Sequence, residues 1–155
     1  KDRVIVKIKD AVDTVIDGEN IITSVITSPV EMKTQLEIYN IKTGEPSFKN
    51  PVKLTDQISR GAGRIIVHNG IRLRPAQNCT NASYGSGLIF YEINKSESSY
   101  SEKKYSELFS LQIVSGNDTV LGVHTYARTN EIEIVDVKKK RFNLKRVYWI
   151  FKKKI

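Results

Sequence analysis

Asn69-Gly70 stands between two strand-like runs, residues 65–68 (IIVH) and 71–74 (IRLR). An Asn-Gly pair in that setting is the strongest short signal for a β-hairpin, because both central residues of a type I′ turn need positive φ. A two-residue turn also fixes the register. His68 then opposes Ile71 and Ile66 opposes Leu73 on one face, while Val67 opposes Arg72 and Ile65 opposes Arg74 on the other. One face is mostly apolar and the other carries two arginines. Guanidinium is planar, permanently ionised and forked, so a pair suits a carboxylate, a phosphate or vicinal hydroxyls unless it simply forms a solvated outer face.

Strand signals continue from end to end. Residues 4–8 alternate as VIVKI, Asp17-Gly18 marks a turn into the β-branched run at 20–27, and QLEIY at 35–39 ends in the turn residues of 42–46. Further strands are expected at 87–93, 108–114, 120–126, 131–137 and 147–151. The polar run SYSEKKYSE at 99–107 has too little apolar content to dock as a helix and reads as a loop. Many short strands and no convincing helix define an all-β chain. Residues 22–39, 65–91 and 120–135 share a plan of turn, hairpin and closing strand, recurring at intervals of about 45 to 55 residues, a spacing that propeller blades give.

The 155 residues suit one domain with a buried core. A net charge of +8 invites a nucleic-acid or membrane reading, but the densest basic runs lie at 138–141 and 152–154, as in a solvated tail, and no nucleic-acid-binding signature accompanies them. No specific nucleic-acid partner is expected. Cys79 is the single cysteine, which excludes an intramolecular disulfide and a multi-cysteine zinc site. No apolar run approaches the roughly 20 residues that span a bilayer as a helix, so no transmembrane segment is expected. The four Asn-X-Ser/Thr triplets, at 78, 81, 94 and 117, read as coincidental in a chain rich in these residues. The start at Lys1, without methionine, suits a processed product or a piece of a longer protein.

The run Ala62-Gly63-Arg64 to Asn69-Gly70, then Arg74-Pro75-Ala76-Gln77-Asn78-Cys79, Tyr84-Gly85 and Tyr91-Glu92-Ile93, resembles a motif of one carbohydrate-linked family. This is the domain at the N-terminus of plant glucosamine inositolphosphorylceramide transferases and their bacterial relatives, similar to the five-bladed β-propellers of glycoside hydrolase family 43. Val12-Asp13 resembles a blade start, Asn50-Pro51-Val52 the segment before the arginine motif, and Gly122 to Thr125 with Val135-Asp136 the final blade. The resemblance spans roughly residues 8–137. It departs from the family at Asn78, where an Asp is usual, and in length, since five blades need well over about 200 residues. It implies that residues 1–155 form a single, incomplete β-propeller-type domain with a basic tail at 138–155. About three blades are present, the remaining blades coming from preceding sequence or another chain.

The implied function is a carbohydrate-active, glycosidase-like or glycan-processing domain, or else a noncatalytic sugar-binding module attached to a glycosyltransferase. Either would take a carbohydrate or glycoconjugate as partner. Arg64, Arg74, Gln77 and Asn78 supply donors and acceptors for sugar hydroxyls or phosphate, unless Arg74 and Gln77 instead tie blades together by bonding backbone carbonyls; Tyr84 can stack on a pyranose, and His124 is a further substrate-binding candidate. Arg64 and Arg74 point to opposite faces of an ideal hairpin, so their convergence requires Arg64 to leave the ladder through a Gly61-Ala62-Gly63 turn or a bulge. Hydrolysis would need two carboxyl groups. Asp13, Glu92 and Asp136 are the candidates, with Asp13 foremost as a catalytic residue, and each also suits a turn or an ion pair. His68 and His124 lack a recognisable third ligand, and Cys79 lacks a general base, so no metal or cofactor is expected.

Overall fold

A computed structural model of the chain describes residues 4–31, 33–54, 58–79, 85–109, 120–129 and 131–139. Among them stand nine strands and no helix: β1 (Ala11–Asp17), β2 (Asn20–Ser28), β3 (Lys33–Asn40), β4 (Ile66–His68), β5 (Ile71–Asn78), β6 (Gly87–Lys95), β7 (Tyr100–Phe109), β8 (Val120–Arg128) and β9 (Glu133–Lys139). The fold is therefore all-β. The strands form three antiparallel sheets of sequential neighbours, ordered β1-β2-β3, β4-β5-β6-β7 and β8-β9.

The Asn69-Gly70 hairpin has the register that its turn chemistry dictates: Ile66 pairs with Leu73, Val67 with Arg72 and His68 with Ile71. Asn69 and Gly70 take φ of 50° and 78°, the left-handed values of a type I′ turn. Pairing Ile65 with Arg74 fails, because the strand leaves the ladder at that point. It returns upstream, where Gly61 bridges Ala76 and Gln77 N donates to Arg60 O. Between the Ile66–Leu73 and Gly61–Ala76 pairs the first strand spends two more residues than β5, which is a bulge at 63–65.

Two further expectations are corrected. Residues 4–8 form no strand; they alternate correctly, but no neighbouring strand among the described residues supplies a ladder, and Val4 is left exposed. The first strand is β1 instead, whose alternation is broken in sequence by a one-residue irregularity between Val12 and Val15, with Asp13 at a φ of 52°. Residues 99–107 are not a loop, since most of them lie in β7. This is an edge strand whose inward positions include the partly buried Tyr100 and the buried Glu102, and the charge of Glu102 is neutralised from β5, so its sequence lacks the apolar face of an ordinary strand. The expected strand at 108–114 overlaps β7 only at its start; the remainder, and the one at 147–151, lie outside the described residues.

Outside β3 the chain turns back as a substitute fourth strand. Leu36 bridges Val52 and Tyr39 bridges Pro46, while the Asn50 side chain accepts from Ile38 N at 3.0 Å and donates to Ile38 O at 3.1 Å, as a neighbouring peptide would. The middle sheet packs on both faces. Leu73, Leu88 and Phe90 meet Val123 and Tyr126 of β8 on one side, with the Phe90 and Tyr126 rings edge to face at 4.9 Å. On the other, Ala76, Ile89 and Tyr91 meet Ile58. Burial on both faces explains the nearly continuous apolar run of β6, and each such large side chain contributes about 1.5–3 kcal/mol. A third cluster, Ile22, Leu36, Ile38 and Val52, fills the first sheet and takes in Ile65 from the bulge and Tyr100 from β7.

Candidate functional site

The segment 58–63 is the seam that joins all three sheets. Towards the first, Ser24 Oγ donates to Ser59 O at 2.7 Å and accepts from Gly61 N at 3.1 Å. Towards the last, Tyr126 N donates to Ala62 O at 2.7 Å. The approach is close enough to require glycine twice. A Cβ on Gly61 would stand 2.9 Å from the Asp13 Cβ, and one on Gly63, whose φ is 139°, would stand 2.1 Å from the Tyr126 carbonyl oxygen.

Each sheet's first strand is irregular near this seam. β1 shifts register at Asp13, the β4 side bulges at 63–65, and β8 shifts between Val123 and Tyr126. In β8 the Asp136 carboxylate accepts from His124 N at 2.9 Å and from Thr125 N at 2.6 Å, satisfying two donors that the shifted ladder leaves over. Partial burial works against the Asp136 charge, but the two backbone N–H groups and the nearby His124 outweigh it and hold the pKa below the usual value. The His124 Nδ1 lies 3.4 Å from the same carboxylate.

Arg74 is the most deeply buried of the sequence candidates. Its Nε and Nη2 donate to the two oxygens of Glu102 at 2.6 and 2.7 Å, its Nη1 and Nη2 to Ser59 O and Ile58 O, and its guanidinium lies 5.2 Å from the centre of the Tyr91 ring. Burial disfavours the charge, yet the Glu102 carboxylate more than offsets it and the arginine's pKa is raised. Gln77 donates to Gly61 O at 2.8 Å. Arg74 and Gln77 thus both grip the 58–61 segment. Asp13 meets the same segment at Arg60, Nε to Oδ2 at 2.5 Å, in a contact not aligned as a hydrogen bond. Asn78 is buried at the other end of β5 and donates to Glu107 at 2.7 Å; an aspartate there would face a second carboxylate.

Arg64 is set apart from these. It sits on the bulge, exposed, and lines an open cleft of about 370 Å³ with Ile65, Ile66, Val67, Arg128 and Thr129. Arg74, Gln77 and Asn78 are not among its lining residues. Arg128 is held in place by His68 Nδ1, to which its Nη1 donates at 2.9 Å, and by Glu133, 3.3 Å from its Nε. A guanidinium cannot accept, so His68 Nδ1 is the acceptor here. Tyr84 lies outside the described residues. Arg128, Arg60 and Glu102 escaped the sequence reading; for Arg60 and Glu102 only distant partners reveal a role, whereas Arg128, two residues beyond the aromatic Tyr126, had no local signal at all.

Among the described residues no group of three or more His, Cys, Asp or Glu side chains could hold a metal ion, and no helix is long and apolar enough to cross a membrane. Comparison with protein families, curated proteins and solved structures returns no match.

Proposed function

We propose that this chain is a noncatalytic carbohydrate- or glycoconjugate-binding module built as part of a β-propeller-type domain. The observation that carries the reading is the succession of three antiparallel units whose first strands are each irregular beside one seam, with Asp13 against Gly61 and Ala62 bonded to Tyr126. In a propeller the first strand of each blade lines the axis. Irregularities at that level turn polar side chains and main-chain groups out of the ladders, as selection of sugar hydroxyls requires.

Binding fits better than hydrolysis. A glycosidase needs two carboxyl groups about 5 to 9.5 Å apart in one pocket, one of them protonated. Two of the three carboxylates considered for that role have other attachments: Asp13 is paired with Arg60, and Asp136 is held ionised by the main chain of β8, while Glu92 stands in β6 at the position paired with Lys103 of β7. Among the described residues no carboxylate lines the 370 Å³ cleft.

Amide NMR of the full chain titrated with a panel of neutral and acidic mono- and disaccharides tests this. Saturable shifts confined to residues around 60–68 and 122–129, together with no release of chromophore from aryl glycosides, are expected. Absence of any saturable sugar-dependent shift sinks the reading, and glycoside turnover abolished by Asp13→Asn replaces it with the enzymatic one.

A further inference from the structure

We infer that the cleft between the β4 bulge and the end of β8 is an anion subsite that takes a phosphoryl group, with Arg64 and Arg128 as its two arms. The inference rests on the sugar-binding reading only for what carries the phosphoryl group. Both arginines line the one cleft. They differ in a way that suits capture of a ligand. Arg128 is fixed in direction by His68 and Glu133, and the hydroxyl of Tyr126 also interacts with it and with Glu133. Arg64 carries no hydrogen bond or ion pair to any described residue, although Arg60, Arg72, Arg74 and Arg128 each have an acidic partner. A permanently ionised side chain without a counter-charge, beside a second guanidinium that is already oriented, repels its neighbour until an anion bridges them.

The backbone adds a donor. The His68–Ile71 pair flanks the two-residue turn, so it is a hydrogen-bonded pair, and the Val67–Arg72 pair beyond it is not. The Val67 N–H is accordingly directed away from β5, on the open side of an edge strand, and Val67 lines the cleft. A phosphoryl group has three terminal oxygens and a charge near two, enough to take a fork from each arginine and the N–H together. A carboxylate has two oxygens and one charge, and satisfies one fork. Ile65 and Ile66 give the wall an apolar part against which the rest of the ligand can lie. The cleft's volume is at the low end of small-molecule sites, which suits one sugar unit. Glu133 stands on the far side of Arg128 as the one described acidic side chain paired with either arm, and is more than half exposed.

Calorimetric titration of the full chain with inorganic phosphate, a hexose 6-phosphate, a hexuronate and the neutral hexose tests the assignment. The hexose phosphate is expected to bind most tightly, phosphate next and hexuronate more weakly, with affinity falling as salt rises. Arg64→Ala, at an exposed position with no described partner, leaves the melting temperature unchanged and weakens phosphate at least about tenfold, the loss of one charge-assisted contact. Arg64→Lys, which keeps the charge and loses the fork, falls between them. Equal phosphate affinity in wild type and Arg64→Ala overturns the subsite, as does failure of the wild type to bind phosphate or hexose phosphate. The outcomes separate the two proposals. Neutral hexose binding that is indifferent to Arg64→Ala leaves the sugar reading standing without this subsite; Arg64-dependent phosphate binding with no gain from an attached sugar leaves the subsite without the sugar reading.

Discussion

Arg74 of β5 meets Glu102 of β7 through two parallel N–H donors, across the intervening strand β6, with both side chains almost wholly removed from solvent. The pair spans three strands of the middle sheet and also fastens it to the 58–59 carbonyls. Removing one partner leaves a buried charge uncompensated. Arg74→Met and Glu102→Leu are each expected to cost about 3–5 kcal/mol, whereas the double substitution, which leaves no charge behind, recovers most of that loss. Urea denaturation of the four proteins checks the cycle; additive losses would contradict it.

Gly63→Ala is expected to destabilise by more than about 2 kcal/mol, since the added carbon meets a main-chain oxygen and the φ of 139° is foreign to alanine. The nearest obstacle is Tyr126 O, so the loss reflects parting of β8 from the seam. Gly18→Ala is the control: it has positive φ but open space, and should cost only about 1 kcal/mol. Thermal melts of the two variants rank them.

Asp136 links stability to acid. Its pKa in the folded chain lies below the ordinary 3.8, so its contribution is complete above that value and is lost as pH falls through the folded pKa. Asp136→Asn keeps one acceptor for the His124 and Thr125 amides but cannot titrate. Wild type should therefore exceed the variant in stability at neutral pH, and the difference should shrink below about pH 4. A difference that stays constant down to pH 2 would exclude the mechanism.

Tyr39 should be a late-titrating phenol. Burial, with help from the Glu37 carboxylate that accepts its hydroxyl at 2.5 Å, pushes it from 10.0 to about 12. The neutral form is the one the fold favours, so its contribution is intact below pH 10.0 and disappears as pH rises towards about 12. Absorbance titration at 295 nm of wild type minus Tyr39→Phe should show its step near pH 12 rather than 10. Tyr100, buried more deeply and beside Glu102, should titrate later still.

What could be read in the chain is what local chemistry decides. The Asn69-Gly70 turn set the register of β4 against β5, and the glycines at 61 and 63 marked where a turn or a bulge could lift Arg64 out of the ladder, which of the two being decided by the structure. The environment of Arg74 could not be read in the same way. Its partner lies 28 residues on, in a stretch whose lysines and serines suggest solvent, and only the β5-β6-β7 meander brings the two together. β1 was hidden for a related reason: Asp13 interrupts its alternation at the irregularity, while 4–8 alternates well and has no described strand beside it. Arg128 became legible only when the cleft showed which neighbours hold it.

All the ladders in the three sheets join sequence neighbours, so each can zip with short loop closures and little entropic penalty. The 58–63 seam obeys a different rule, its bonds reaching back 35 residues to Ser24 and forward to β8. Sheets can therefore assemble in turn as the polypeptide emerges, with their docking, through this strip, the Val123 N to Gly85 O bond and the apolar clusters between sheets, following afterwards. Hydrogen exchange should register that order: amides of Gly61, Ala62 and Tyr126 open together and ahead of those in the centre of β6, making the seam the joint along which the molecule comes apart.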